Sequence, residues 1–332
     1  MRIRPLLASL LISGFSFTVG FFARPRLNPL AVRVYERVKG PPRPREVPRP
    51  ASMLSGAEPL TMPAPRFEPG VAVAGGRLYL FSGFYDEGLH ATERSDMFDP
   101  ASGVWTQMAS VPVAVTHAGL AVLGDEIWIA GGFTGHHPGP AGRAVWRYHI
   151  PGNEWRAGPL LPEARGAGGL VNVEGTLHYF GGLKPDRQTD SSDHWSLAPG
   201  AAVWEHRAPL PVAVNHFSAI LLDGRVHLLG GQHGHDVSFQ DVALHQVYDP
   251  ARDSWSSAAP LPRARSHTEP GTFLLDGRIV QVGGRSNEIP VLYDIAAYDG
   301  KSDTWRTLPG LPVPMRAPVA RVLGPWLYAG SG

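Results

Sequence analysis

LYLFSG at residues 78–83, IWIAGG at 127–132, LHYFGG at 177–182, VHLLGG at 226–231 and IVQVGG at 279–284 are five copies of one pattern. Each is a short apolar run that ends on two small residues. A sixth copy, WLYAGS, stands at 326–331. Other landmarks keep the same beat. Trp105, Trp155, Trp204, Trp255 and Trp305 follow one another at intervals of 50, 49, 51 and 50 residues, and Phe98, Tyr148, Tyr248 and Tyr298 lie seven residues before four of them. The third repeat has Leu197 there instead. A proline-containing segment follows each of these tryptophans. A fixed period with recurring aromatic and glycine landmarks marks a repeated supersecondary unit. In the fourth repeat the unit resolves into four short apolar runs, at 218–222, 226–229, 242–248 and around Trp255, with Asp223-Gly224 suited to a tight hairpin between the first two.

Four antiparallel strands per unit cannot bury both faces of their own sheet. Stacking the units radially covers those faces and leaves only short, protected edges. The Gly-Gly after an apolar strand, the later tyrosine and the tryptophan seven residues on resemble the kelch repeat of β-propellers, over residues 54–332. The resemblance implies an all-β, six-bladed kelch β-propeller with four antiparallel strands per blade. The domain is expected at 52–332, with blades at about 66–110, 111–161, 162–210, 211–260, 261–310 and 311–332 plus an N-terminal strand. Residues 315–331 supply only two strands of the sixth unit. The segment 52–60 matches 254–261, with Leu54 at the tryptophan position, and is expected to complete that blade. Residues 31–35 are a candidate third strand. The ring would then be closed by N- and C-terminal segments.

The rest of the composition narrows the function. Lys+Arg is 30 and Asp+Glu 29, so no polycation is present to neutralise a nucleic-acid backbone, and no nucleic-acid partner is expected. Glycine (39) and proline (33) fit a chain of turns and short strands. The absence of cysteine excludes disulfides, thiolate metal sites and cysteine nucleophiles. Arg2 and Arg4 precede an apolar run at 6–23, the pattern of a signal peptide or signal anchor over 1–23. A Pro/Arg-rich linker follows at 24–51, where GPPRPREVPRP favours an extended spacer. The propeller is therefore expected to be exported, periplasmic or extracellular or membrane-anchored, to touch a membrane only through its N-terminal segment, and to be a monomer.

Antiparallel alternation places residues entering the first strand of each blade, and residues just after each Gly-Gly, on one face near the central channel. Polar residues gather at both places. Glu68, His117 and His216 fall at one equivalent position, which His267 or Glu269 joins in the fifth repeat. Arg66, Arg165, Arg265 and Arg316 lie one or two residues earlier. The loops after Gly-Gly add His136, His137, Asp186, Arg187, Asp190, Asp193, His194, His233, His235, Asp236, Arg285, Asn287 and Glu288. Histidine is the readiest of these as a metal ligand or proton carrier near neutral pH.

Three uses compete. A funnel could bind a polar ligand such as a carbohydrate, with Glu68, His117, Arg165, His216, His267, Arg316, Asp190 and His194 as candidate ligand-binding residues. His233, His235 and Asp236, with a histidine such as His216, could hold a metal; no other cofactor is expected. Finally, the loop face could bind a protein on a scaffold without chemistry. No catalytic residue is assigned. Among kelch-propeller enzymes, galactose oxidase needs a tyrosine joined to a cysteine, which this chain lacks. Sialic-acid mutarotases use carboxylate and arginine chemistry that Glu68 or Glu269 with Arg165 or Arg316 could supply, though no spacing selects it. LPVAVNH and GGQHGHD resemble segments of galactose-oxidase-like bacterial kelch proteins. The reading is thus a binding or interaction propeller using one loop face, with a mutarotase-like enzyme or a metal-dependent site as the alternative.

Overall fold

The computed structural model describes residues 61–330, and before them only three short strands, Arg2–Ile3, Thr18–Phe22 and Ala57–Leu60. The protein is an all-β propeller of five four-stranded antiparallel blades. Blade 1 is Gly70–Ala74, Arg77–Phe81, Ser95–Asp99 and Val104–Met108. Blade 2 is Gly119–Leu123, Glu126–Ala130, Val145–His149 and Glu154–Ala157. Blade 3 is Gly169–Val173, Thr176–Phe180, His194–Leu197 and Glu205–His206. Blade 4 is Ser218–Leu222, Arg225–Leu229, His245–Asp249 and Ser254–Ser257. Blade 5 is Thr272–Leu275, Arg278–Val282, Ile295–Asp299 and Thr304–Leu308.

Six blades were expected, and the structure corrects that to five. The sixth repeat contributes only a hairpin, Val319–Leu323 and Trp326–Gly330. N-terminal strands do extend its sheet, but not as a fourth-strand completion of an antiparallel blade. Thr18–Phe22 runs parallel to Trp326–Gly330, and Ala57–Leu60 runs parallel to Thr18–Phe22. The result is a five-stranded mixed sheet. Residues 31–35 and most of the expected signal or anchor lie outside the described residues, although Thr18–Phe22 falls within that apolar run as a strand. Among the described residues no helix is long and apolar enough to cross a membrane.

The core lies between consecutive sheets. Tyr79 and Phe81 of blade 1 pack on Ile127, Ile129 and Tyr148 of blade 2. Leu222 and Leu229 of blade 4 meet Ile279 and Tyr298 of blade 5. The closing hairpin fills the gap between the last and first blades. Ala320, Leu327 and Ala329 cover Val280 and Val282 on one side, and Val319, Leu323 and Tyr328 cover Leu78, Leu80 and Phe98 on the other. Each fully buried Leu, Ile or Phe contributes roughly 1.5–3 kcal/mol, so these interfaces hold the ring together.

The seven-residue Tyr–Trp spacing is a consequence of register. It sets Tyr148 opposite Trp155, Tyr248 opposite Trp255 and Tyr298 opposite Trp305 across the outer two strands. The indoles then reach the preceding blade, where Trp155, Trp255 and Trp305 donate to the carbonyls of Ala109, Ala208 and Ala259 at 2.9–3.0 Å. The Gly-Gly pairs are a matter of space. Gly132 has φ 91°, and a Cβ there would stand 2.5 Å from Val115 Cγ2 and 2.6 Å from the Thr116 carbonyl.

Candidate functional site

One residue in each blade, just before the innermost strand, adopts a left-handed backbone: Glu68, His117, Ala167, His216 and His267, with φ between 49° and 58°. L-residues rarely accept this region, although histidine does so more often than most. The conformation turns the peptide groups along the ring instead of along the blade. Ala167 N–H donates to the His117 carbonyl at 2.9 Å, His216 N–H to the Ala167 carbonyl at 3.0 Å, and His267 N–H to the His216 carbonyl at 3.3 Å. The residue before each of these positions pairs with the residue after the same blade's second small residue: Phe67 with Phe84, Thr116 with Phe133, Gly166 with Leu183, Asn215 with Gln232 and Ser266 with Arg285. The Gly-Gly pairs and the strand entries therefore meet around the channel. The last link also decides between His267 and Glu269, because His267 carries the left-handed backbone and the ring bond.

This girdle draws four side chains together. The ligating nitrogens of His117, His216 and His267 all lie within 4.8 Å of one another. Glu68 places Oε2 2.6 Å from His117 Nε2 and Oε1 3.5 Å from His267 Nε2. Rings of His235, His216 and His267 form a column with centroid separations of 4.8 and 4.5 Å, and His117 meets His216 edge-on at 4.9 Å. Arg316 NH2 donates to His267 Nε2 at 3.2 Å. The four converging side chains, with Glu269, Pro270 and Ala317, line a cavity of about 40 Å³.

Burial sets the protonation. His216 and His267 are fully buried and held well below the ordinary histidine value, first by desolvation and then by cationic neighbours that include Arg316. Both are neutral imidazoles at neutral pH. Burial pushes Glu68 up, but His117, Arg316 and His235 outweigh it, so its carboxyl stays below the usual carboxylate range and is ionised. Glu269 goes the other way. Burial, then repulsion by Glu68, raises it to about 8. Two acids in one channel thus differ in charge because one has cationic partners and the other, among the described residues, has none.

Towards the loop face the cluster is roofed. Phe133 lies edge-on to His117 at 5.4 Å, and the Arg187 guanidinium sits 3.8 Å over the Phe133 ring. Arg187 also pairs with Asp236 at 2.6 Å and donates to the Gly139 carbonyl at 2.7 Å, which ties three loops together.

Several expected site residues serve elsewhere. Arg165 is fully buried, pairs with Asp193 and lies 5.0 Å over the Trp195 ring. It bolts blade 3 and does not face the channel. Arg66 with Asp96 and Arg265 with Asp294 repeat the device in blades 1 and 5. His194 is also buried in a blade, bonded to His178 Nδ1 at 2.9 Å and to the Ala208 carbonyl at 3.1 Å. Asp190 fastens two loops, accepting from Asn215 Nδ2 and lying 2.9 Å from His233 Nδ1. His233 and His235 take separate partners, Asp190 and Asp236. Among the described residues the one set of three metal-ligating groups that converges is His117, His216 and His267.

Sequence reasoning passed over three residues. Thr116 Oγ1 lies 2.9 Å from His117 Nδ1, Asn215 Oδ1 bonds His216 Nδ1, and Ser266 Oγ lies 2.8 Å from His267 Nδ1. The signal was present as a small polar residue immediately before each channel histidine.

Comparison with known proteins agrees with the propeller fold. The Kelch motif family matches residues 114–159, which run from the entry of blade 2 to its end. A kelch repeat-containing protein of Arabidopsis thaliana is 26% identical over 85% of this chain and 72% of its own length. The chain carries a kelch repeat. Mouse Kelch-like protein 23 is 23% identical over 72% of the chain, and the match spans 49% of that longer relative. The solved structure of YjhT superposes with a TM-score of 0.65 at 13% identity, covering 75% of this chain and 85% of the other, and shows the fold alone. The matches carry the kelch family and not the narrower galactose-oxidase-like grouping expected from the sequence.

Proposed function

We propose that this kelch propeller is an interaction protein that holds an extended segment of a partner protein on its loop face, between blades 1 and 2. A comparison of sizes carries the reading. The channel cavity has about 40 Å³, whereas an open groove of about 610 Å³ runs along Tyr85, Glu93, Arg94, Gln107 and His136. Tyr85 is 44% exposed and offers an aromatic face. Glu93, Arg94 and Gln107 supply an acceptor, a charged donor and an amide beside it. A small-molecule pocket holds about 300 Å³ or more, so the channel as it stands has no room for a sugar ring. The kelch fold and the Kelch-like relatives favour a protein-binding role. Arg2, Arg4 and the apolar run after them favour an exported or tethered propeller, whereas the pairing of Thr18–Phe22 with Trp326–Gly330 counts against cleavage or membrane insertion of that segment.

A photo-crosslinking residue placed at Tyr85 in the full chain tests the reading, with Val203, 72% exposed in the loop between the outer strands of blade 3, as control. One discrete protein adduct at position 85, weakened by Glu93→Lys with Arg94→Glu and absent at 203, is the expected result. Equal labelling at both positions would overturn it. A glycan array probed with the same variants provides the second arm. Glycan binding sensitive to Tyr85→Ala, without a protein adduct, would replace the protein partner with a carbohydrate.

A further inference from the structure

We propose that His117, His216 and His267 form a three-imidazole centre for a divalent transition metal of the Zn²⁺ class, with Glu68 beside it. This centre is separate from the loop-face groove and shares no lining residue with it. A three-histidine zinc site needs three neutral imidazoles with free lone pairs aimed at one point and a fourth position for water or a carboxylate. The donors of His216 and His267 can be assigned by logic alone. Asn215 Oδ1 can only accept, so His216 Nδ1 carries the proton and Nε2 holds the lone pair. Arg316 can only donate, so His267 Nε2 holds the lone pair and Nδ1 donates to Ser266 Oγ. Ser266 in turn donates to Asp241, whose carboxylate is paired with Arg285 at 3.2 Å. This is an outer shell of the kind that orients ligating histidines and fixes their tautomers. It occurs at Thr116-His117, Asn215-His216 and Ser266-His267, in three different blades.

His216 Nε2 is the telling atom. It is buried, aimed into the channel cavity and without a hydrogen-bond partner among the described residues. Leaving such a nitrogen unpaired costs roughly 1–3 kcal/mol, and a metal ion would remove that cost. The cavity of about 40 Å³ is on the scale of one ion with one water. Tetrahedral zinc with Zn–N of about 2.0–2.1 Å sets its nitrogens about 3.4 Å apart, so the three need to draw in from the present 4.8 Å limit by side-chain rotation. His117 Nε2, now against Glu68, would turn to the ion with the ring proton on Nδ1, toward Thr116 Oγ1. The Glu68 carboxylate is then free to take the fourth position or to hold a water there. Arg316 NH2, which now donates to the His267 Nε2 lone pair, has to leave that nitrogen to the ion, and the nearby Glu68 charge offsets its own.

The full chain, purified without a histidine tag and stripped with chelator, should bind one Zn²⁺ per molecule, and Co²⁺ in its place should give the visible absorption of a four-coordinate site. His216→Gln and His267→Gln should each weaken Zn²⁺ affinity at least about 100-fold. Asn215→Ala and Ser266→Ala, which leave the ligands in place, should weaken it about 10–100-fold. His233→Asn with Asp236→Asn should leave it unchanged. Circular dichroism of the stripped proteins separates loss of binding from loss of fold. Stoichiometry well below one ion, binding that survives His216→Gln with His267→Gln, or binding lost only in the His233 and Asp236 variant would each overturn the proposal.

Discussion

Two further histidine pairs, outside the channel, make acid stability the sharpest test of the fold. His178 Nδ1 lies 2.9 Å from His194 Nε2 in blade 3, and His227 Nδ1 lies 2.8 Å from His245 Nε2 in blade 4. His194 and His245 pass the chain on, donating from Nδ1 to the carbonyls of Ala208 and Ala259, the same carbonyls that receive the Trp255 and Trp305 indoles. All four imidazoles are buried and neutral. Desolvation, then Arg207, lowers His178 to about 4, and desolvation, then His245, lowers His227 to about 4. An unfolded histidine titrates near 6.5. The unfolded chain therefore binds more protons between about pH 6.5 and 4, and stability falls as pH falls through that window and is flat above it. At pH 5 the loss is about 2 kcal/mol for each of His178 and His227, and about 4 kcal/mol for the two. For a domain of this size, 1 kcal/mol moves the melting temperature by roughly 2 °C, so the two account for about 8 °C between pH 7.5 and 5. Asparagine keeps a polar atom near the Nδ1 position and cannot titrate. The His178→Asn, His227→Asn double variant, followed by calorimetry at both pH values, should lose about 8 °C less than the parent. Equal losses in parent and variant would refute the claim that these histidines are held neutral.

Gly132→Ala should destabilise by about 3 kcal/mol or more in chemical denaturation, because the new methyl meets Val115 and the Thr116 carbonyl. Gly124→Ala, at φ 58° with nothing within 4 Å, should cost only the left-handed strain of about 1 kcal/mol; similar losses at both sites would count against the close approach at the Gly-Gly corner. Arg165→Ala should cost roughly 2–3 kcal/mol, chiefly by emptying a buried site over Trp195 and less by unpairing the partly exposed Asp193, and Arg165→Val with Asp193→Ala should recover most of it, since Val115 and Val214 hold the corresponding place in blades 2 and 4. Neither variant should change Zn²⁺ binding, and a change in metal affinity would return Arg165 to the channel.

The fold was legible where one local rule repeats. The Gly-Gly corners and the Tyr–Trp spacing report the strand ends and the register of the outer hairpin, and both recur in almost every unit. The blade count was not legible, because the closing sheet depends on the direction in which distant strands pair. Parallel pairing of Thr18–Phe22 with the last strand leaves no mark in either segment. Counting from the strand turns did find Glu68, His117 and His216, since backbone register puts them at one level. Arg165 was misplaced because an arginine does not announce its depth. Its register did contain the answer, for a position that alternates among Arg66, Val115, Arg165, Val214, Arg265 and Met315 is a core position.

Blade 3 separates what the fold requires at the channel from what this sequence has added. Ala167 has φ 55° and links to both neighbours by the same backbone bonds as the histidines on either side. The girdle therefore needs the left-handed backbone and no imidazole. A ring built for stability alone would be served by alanine, or better by glycine, at every blade. Instead the chain places imidazoles at His117, His216 and His267, supports each through the side chain before it, and accepts the burial that holds His216 and His267 neutral. Buried polar groups are costly unless satisfied, and His216 Nε2 is left unsatisfied where three histidines and a carboxylate converge. Stability does not explain that expenditure of polar groups, whereas a bound ion at the channel axis does.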